Sequence, residues 1–205
     1  MVRLFTAIEI PEQQRIRLGL LRAPLSGAKW VDPDNMHITL RFAGDIDERV
    51  ADDFAEALGE TEIDPFRVTI TGVGAFGGRD TRVLWAGVEA GPELDALYRA
   101  NERAARVAGL EHAPRGFKPH VTLARMRGAR NSAAARFLEE NGDLRLEPFV
   151  VTRFVLLSAR PGVGGGSAGS VGGGALGGLR LPAPGVGAHL GEGALGPPPQ
   201  QLRGE

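Results

Sequence analysis

His37-Ile38-Thr39-Leu40 returns about eighty residues later as His120-Val121-Thr122-Leu123, in a chain that holds only four histidines. Imidazole ionises near pH 6.5, so one ring can be neutral while another carries a proton near neutrality. That combination suits hydrolysis of a phosphodiester: one group takes a proton from water and the other gives one to the leaving oxygen. Each such role is typically worth about 10²–10⁴-fold in rate. The hydroxyls of Thr39 and Thr122 are suited to donate to the nonbridging phosphate oxygens, where negative charge builds. A structural metal is the competing use of histidine. The chain has no cysteine, and no His/Glu pair lies at helical ligand spacing, so neither metal nor cofactor is expected. His112 and His189 are expected to be exposed bystanders.

Each tetrapeptide must sit on an element that aims it. Both open a predicted strand, where alternate side chains share a face. His37 goes with Thr39 and His120 with Thr122, while Ile38, Leu40, Val121 and Leu123 anchor the opposite face. A duplicated half-domain with a pseudo-twofold axis would bring the two polar faces together across a cleft. Further strands are predicted at residues 2–8, 66–73, 82–88 and 148–157, with a hairpin joining the second and third of these. Helices are predicted after Pro11, after Asp45 or Asp47, from Gly91-Pro92 to Gly109, and over residues 132–140. Interleaved strands and helices with hairpin spacing predict an α+β fold.

Composition narrows the classes. The chain has 205 residues, enough to bury a sizeable core, and its net charge is −1. Whole-molecule electrostatics would not draw it to a polyanion, so any such substrate needs a local patch. Neither a membrane-spanning run nor a leader pattern is read in it, and a cytoplasmic monomer is expected. Of 24 basic residues only Lys29 and Lys118 are lysine, a bias read chiefly as GC-rich coding.

Three stretches carry a resemblance. Met36 to Asp45, Arg82 to Val88 and Phe117 to Arg125, together with the strand Arg3 to Ile8, resemble the RNA 2′,3′-cyclic phosphodiesterases. These are also called 2′–5′ RNA ligases and belong to the 2H phosphoesterase superfamily. The likeness covers about residues 1–160. It implies a bilobal fold with two pseudo-symmetric lobes of antiparallel sheet, helices outside and a cleft between. It further implies hydrolysis of RNA 2′,3′-cyclic phosphate ends, such as those of tRNA fragments, to 2′-phosphates without a cofactor. His37 would be the proton donor and His120 the proton acceptor. Ligation to a 2′–5′ bond, another small cyclic nucleotide as substrate, RNA binding without turnover, and a damaged gene product remain open alternatives.

Arg41 has the parity of His37 and is expected to face the cleft as an RNA contact. Lys118, Arg125, Arg127 and Arg130 flank the second motif; Arg125 has the opposite parity from His120 and is expected to reach phosphate only from the strand end. Trp30, Phe42 and Trp85 are expected in the core. Residues 161–205 depart from the family pattern: they are roughly one-third glycine with no apolar period, and disorder is expected. A reading-frame shift and a genuine tail both account for that composition. The family's last strand is expected to be missing, leaving an open sheet edge.

Overall fold

The computed structural model describes residues 1–77, 81–113, 116–127, 131–158 and 177–180. β1 (Val2–Glu9) is buried continuously from Leu4 to Ile8, because it lies inside the sheet with both faces covered. Pro11 precedes α1 (Glu12–Gly19), its φ of −58° already compatible with the helix. β2 (Ala28–Trp30) and a 3₁₀ turn (Pro33–Asn35) lead to β3 (His37–Ile46). Asp47 caps α2 (Glu48–Gly59) by accepting from the Val50 amide, and Phe54 and Leu58 bury one stripe. β4 (Phe66–Gly77) and β5 (Thr81–Ala90) pair as a long antiparallel hairpin, further extended than the sequence predicts. α3 (Pro92–Val107) buries Leu94, Leu97, Ala104 and Ala105, and the chain leaves it through Gly109 at φ +77°. β6 (His120–Met126), α4 (Asn131–Glu140), β7 (Phe149–Val151), β8 (Val155–Ser158) and β9 (Gly177–Arg180) complete the described elements.

The strands form one antiparallel sheet in the order β7-β4-β5-β6-β3-β1-β8-β9, with β2 also paired to β6. Three residues separate β7 from β8, yet they lie six steps apart in that order. Steps of ~4.8 Å would place them about 29 Å apart in a flat sheet. A link of three residues spans at most about 14 Å. The sheet must therefore curl, folding its two halves toward each other. The helices pack on the convex side: α2 against α3 and β1, α3 against β3, and α4 against β4 and β5. One large apolar cluster fills that side, and a smaller one of Phe5, Ala7, Val155 and Leu157 lies on the other face of β1 and β8. The α+β, two-lobed expectation holds.

Two expectations at the C-terminal end need correction. The single strand predicted over residues 148–157 is two: β7 pairs with β4 in one half, and β8 pairs with β1 in the other. Apolar residues run almost unbroken there because Val155, Leu156 and Leu157 are all buried, so alternation carries no signal of the break. The edge beyond Ser158 is not open: β9 pairs with β8 from Val155↔Arg180 to Ser158↔Gly177. Backbone pairing needs no apolar period, so this glycine-containing strand left no trace in side-chain pattern. The rest of the expected tail, His189 included, lies outside the described residues.

Candidate active site

The two halves of the sheet meet where the motifs meet, at the antiparallel pair Ile38↔Val121. Ile38 and Val121 are fully buried, which pins the register and turns His37, Thr39, His120 and Thr122 to the opposite, half-buried face. About that pair His37 lies across from Thr122, and Thr39 across from His120. The histidines are thus diagonal neighbours, a relation that sets residues ~7–8 Å apart.

Both rings are held alike. His37 Nδ1 bonds to the carbonyl of Asn35 at 2.8 Å, and His120 Nδ1 to that of Lys118 at 2.7 Å. A carbonyl only accepts, so Nδ1 carries the proton in each ring and Nε2 is the working atom. Among the described residues neither Nε2 has a partner. Burial pushes the His37 pKa below its ordinary value, against the Asn35 bond, with Arg125 and His120 adding repulsion. His120 is lowered in the same way, first by burial and then by Lys118, against its own carbonyl bond.

Aromatic rings wall both histidines. Phe5 lies 4.9 Å from the His37 ring and 5.5 Å from Phe42. Phe76 meets His120 edge-on at 4.9 Å, and Trp85 lies 6.3 Å from it. Lys118 Nζ stands 4.7 Å from the Trp85 ring centroid and 5.3 Å from that of Phe76, a cation held at the site by ring faces. Gly74 makes room for this wall, since a Cβ there would come within 2.3 Å of the Trp85 ring.

Arg41 and Arg125 exchange the roles that strand parity assigns them. Against β1, Thr6 pairs with Arg41 and Ala7 with Thr39, so Leu40 is an extra residue in β3. Against β5, Leu84 pairs with Ala124 and Trp85 with Thr122, so Leu123 is extra in β6. A bulge at the same place in both motifs inverts parity beyond it. Arg41 is therefore turned into the convex side, buried and ion-paired with Glu102 on α3, while its guanidinium also donates to the carbonyls of Phe42 and Glu111. The expected RNA contact at Arg41 is thereby withdrawn. Arg125 moves the other way, onto the His120 face, close enough to oppose protonation of His37.

Other residues also differ from expectation. Phe42, expected in the core, is 59% exposed beside the site, and Trp85 lines it. Trp30 does pack in the core, against Phe137, with its Nε1 donating to the Ala23 carbonyl. His112 is exposed, as expected, but it is not without a partner: its Nδ1 pairs with the buried Glu102 at 2.6 Å. Phe5 and Phe76 were not anticipated; they reach the site through strand pairing, which no local pattern announces. Arg130 lies outside the described residues.

The model of LigT-like phosphoesterases matches the chain twice, over residues 8–85 and 88–165, one motif in each copy. The chain belongs to the LigT-like phosphoesterase family. The double match agrees with the repeated strand, bulge and imidazole. Among relatives, an RNA 2′,3′-cyclic phosphodiesterase of Aeropyrum pernix is 41% identical over 58% of this chain and 69% of its own length. One of Archaeoglobus fulgidus is 30% identical over 78% and 95%. The fold matches Escherichia coli LigT solved with 3′-AMP, at TM-score 0.65 and 23% identity over 88% of this chain and 95% of that one. It also matches TT0787 of Thermus thermophilus, at 0.64 and 24% over 87% and 94%. No helix among the described residues of this LigT-like chain is long and apolar enough to cross a membrane.

Proposed function

We propose that this phosphoesterase hydrolyses RNA 2′,3′-cyclic phosphate ends to 2′-phosphates, with His37 and His120 as general acid and general base. His120 Nε2 takes a proton from water, whose oxygen attacks phosphorus. The bond from phosphorus to O3′ breaks, and the Nε2–H of His37 supplies the proton to that oxygen. A 2′-phosphate and a free 3′-hydroxyl result, and solvent restores both rings. Thr39 and Thr122 donate to the nonbridging oxygens, and Lys118 and Arg125 offset the phosphate charge. The observation that carries this reading is the diagonal pair of imidazoles, each with Nδ1 tied to a carbonyl and Nε2 unpartnered among the described residues. The names of the Aeropyrum and Archaeoglobus relatives support the substrate.

The test is turnover of an oligoribonucleotide ending in a 2′,3′-cyclic phosphate, with the product resolved as 2′- or 3′-phosphate. A 2′-phosphate is expected, at a rate that EDTA leaves unchanged, because the two imidazoles supply both proton transfers. Among the described residues no cluster of three or more histidines and carboxylates is placed to hold a metal ion. A 3′-phosphate product, or turnover lost to chelator and restored by one divalent ion, contradicts the mechanism.

A further inference from the structure

The two motif strands meet through a narrow seam. β3 lies along β1 from Val2↔Ile46 to Glu9↔His37, and β6 along β5 from Val83↔Arg125 to Gly87↔His120. Between β3 and β6 the ladder holds only Ile38↔Val121. On the Thr122 side of that pair, β2 takes over the edge of β6, from Trp30↔Ala124 to Ala28↔Met126. On the other side, where Thr39 lies across from His120, no ladder between β3 and β6 continues among the described residues. Backbone pairing alone therefore fixes the angle between the two motif strands weakly. The separation of the imidazoles depends on that angle.

Side chains on the convex side bridge this gap. Arg41, one residue past the β3 bulge, donates to the carbonyl of Glu111, in the segment that leads from α3 to His120. Its Nε lies 2.5 Å from one carboxylate oxygen of Glu102 on α3. The other oxygen accepts from His112 Nδ1 at 2.6 Å and from the Ala113 amide at 3.4 Å, both in that same segment. One turn earlier on α3, Tyr98 stacks on Phe117 at 4.2 Å with the rings within 3° of parallel. Phe117 adjoins Lys118, whose carbonyl holds His120 Nδ1. Glu102 thus joins the first motif strand to the approach of the second, with a different oxygen for each. A buried ion pair is a poor source of net stability, because desolvation offsets most of its attraction. What this one supplies is geometry. We propose that Glu102 is a positioning residue: by tying β3 to the segment that enters β6, it holds His37 and His120 at their working separation. This rests on the two-histidine reading above. Misplacing reacting groups by about 1 Å can cost on the order of 10²-fold in rate, so a tie outside the site can govern turnover.

The experiment compares the wild type with Glu102→Gln, which loses the charge and one acceptor oxygen, and with His112→Ala, an exposed change that leaves Arg41 paired. Turnover of a nucleoside 2′,3′-cyclic phosphate is measured below each melting temperature and expressed per folded molecule. Glu102→Gln should lose about tenfold or more in kcat with KM unchanged, and His112→Ala should lose less, at an unaltered melting temperature. A second readout needs no turnover. The chain has no cysteine, so Asp53→Cys on α2 and Ala135→Cys on α4, both exposed, give the only two sites for spin labels. α2 packs on β1 and α4 on β4 and β5, so the label distance reports on the two halves of the sheet. Its distribution should broaden when Glu102→Gln is added. A wild-type kcat per folded molecule, or an unchanged distribution, overturns the proposal and leaves Glu102 a stabilising residue only. If Glu102→Gln does not fold, the same two criteria applied to His112→Ala decide. If the wild type turns over no cyclic phosphate, the phosphodiesterase reading fails, and the label distance alone decides the role of Glu102.

Discussion

Neutral imidazole is the resting form that burial favours at both His37 and His120, and that has a kinetic consequence. The proposed acid must be charged and the base neutral. In the free enzyme His37 loses its proton below the ordinary histidine value, so kcat/KM should fall as pH rises through that depressed value. A bound phosphodiester anion favours the charged ring, so the falling limb of kcat should lie at higher pH than that of kcat/KM. Parallel pH–rate profiles check this, and coincident limbs would contradict it. Stability follows the same shift. Because both folded-state values are lowered, the unfolded chain binds more protons in the window below about 6.5. The histidines' contribution to stability is therefore complete above that value and is lost as pH falls through the folded values.

Strand pattern made the motif faces legible, because one alternation from His37 to Thr39 and from His120 to Thr122 suffices. It failed at Arg41 and Arg125, two residues beyond Thr39 and three beyond Thr122, since an inserted residue reverses every side chain after it. Neither Leu40 nor Leu123 differs in type from an ordinary strand residue, so nothing in the sequence marks the bulge. The consequence for Arg41 is specific. Held with Glu102 in the convex side, it should behave as a structural cation and not as an RNA contact. Arg41→Ala should destabilise by about 3–5 kcal/mol, the usual cost of stranding a buried charge. In the fraction that remains folded, KM should not change. Chemical denaturation and steady-state kinetics separate the two, and a raised KM with unchanged stability would restore the contact reading. Helix ends were more legible than strand ends, since Asp47 and Pro11 act through local chemistry.

Across the whole molecule, the curl of the sheet brings its two halves together, and sequence alone shows only that there are two. The link from β7 to β8 was hidden in an apolar run, and β9 in glycine-rich sequence. Because β9 covers β8, removing residues 159–205 should leave an unpaired edge on a strand next to β1. The truncated protein should melt at lower temperature and associate more readily, with kcat little changed because both motifs lie in the central strands. Calorimetry, light scattering and turnover on the same preparation test this. An unaltered melting temperature would show that β9 contributes nothing to the sheet's stability.

The central claim is also one of the whole molecule: two histidines from two halves act as one catalytic unit across the Ile38↔Val121 pair. Its most direct test is single-turnover cleavage of a 2′,3′-cyclic-phosphate RNA by the wild type, His37→Ala, His120→Ala and the double variant, each shown to be folded. Each single substitution should reduce the rate by on the order of 10²-fold or more. The double variant should be scarcely slower than the worse single one, because a proton relay missing either end is already broken. Near-wild-type cleavage by either single variant, or losses that simply multiply in the double, would contradict the account.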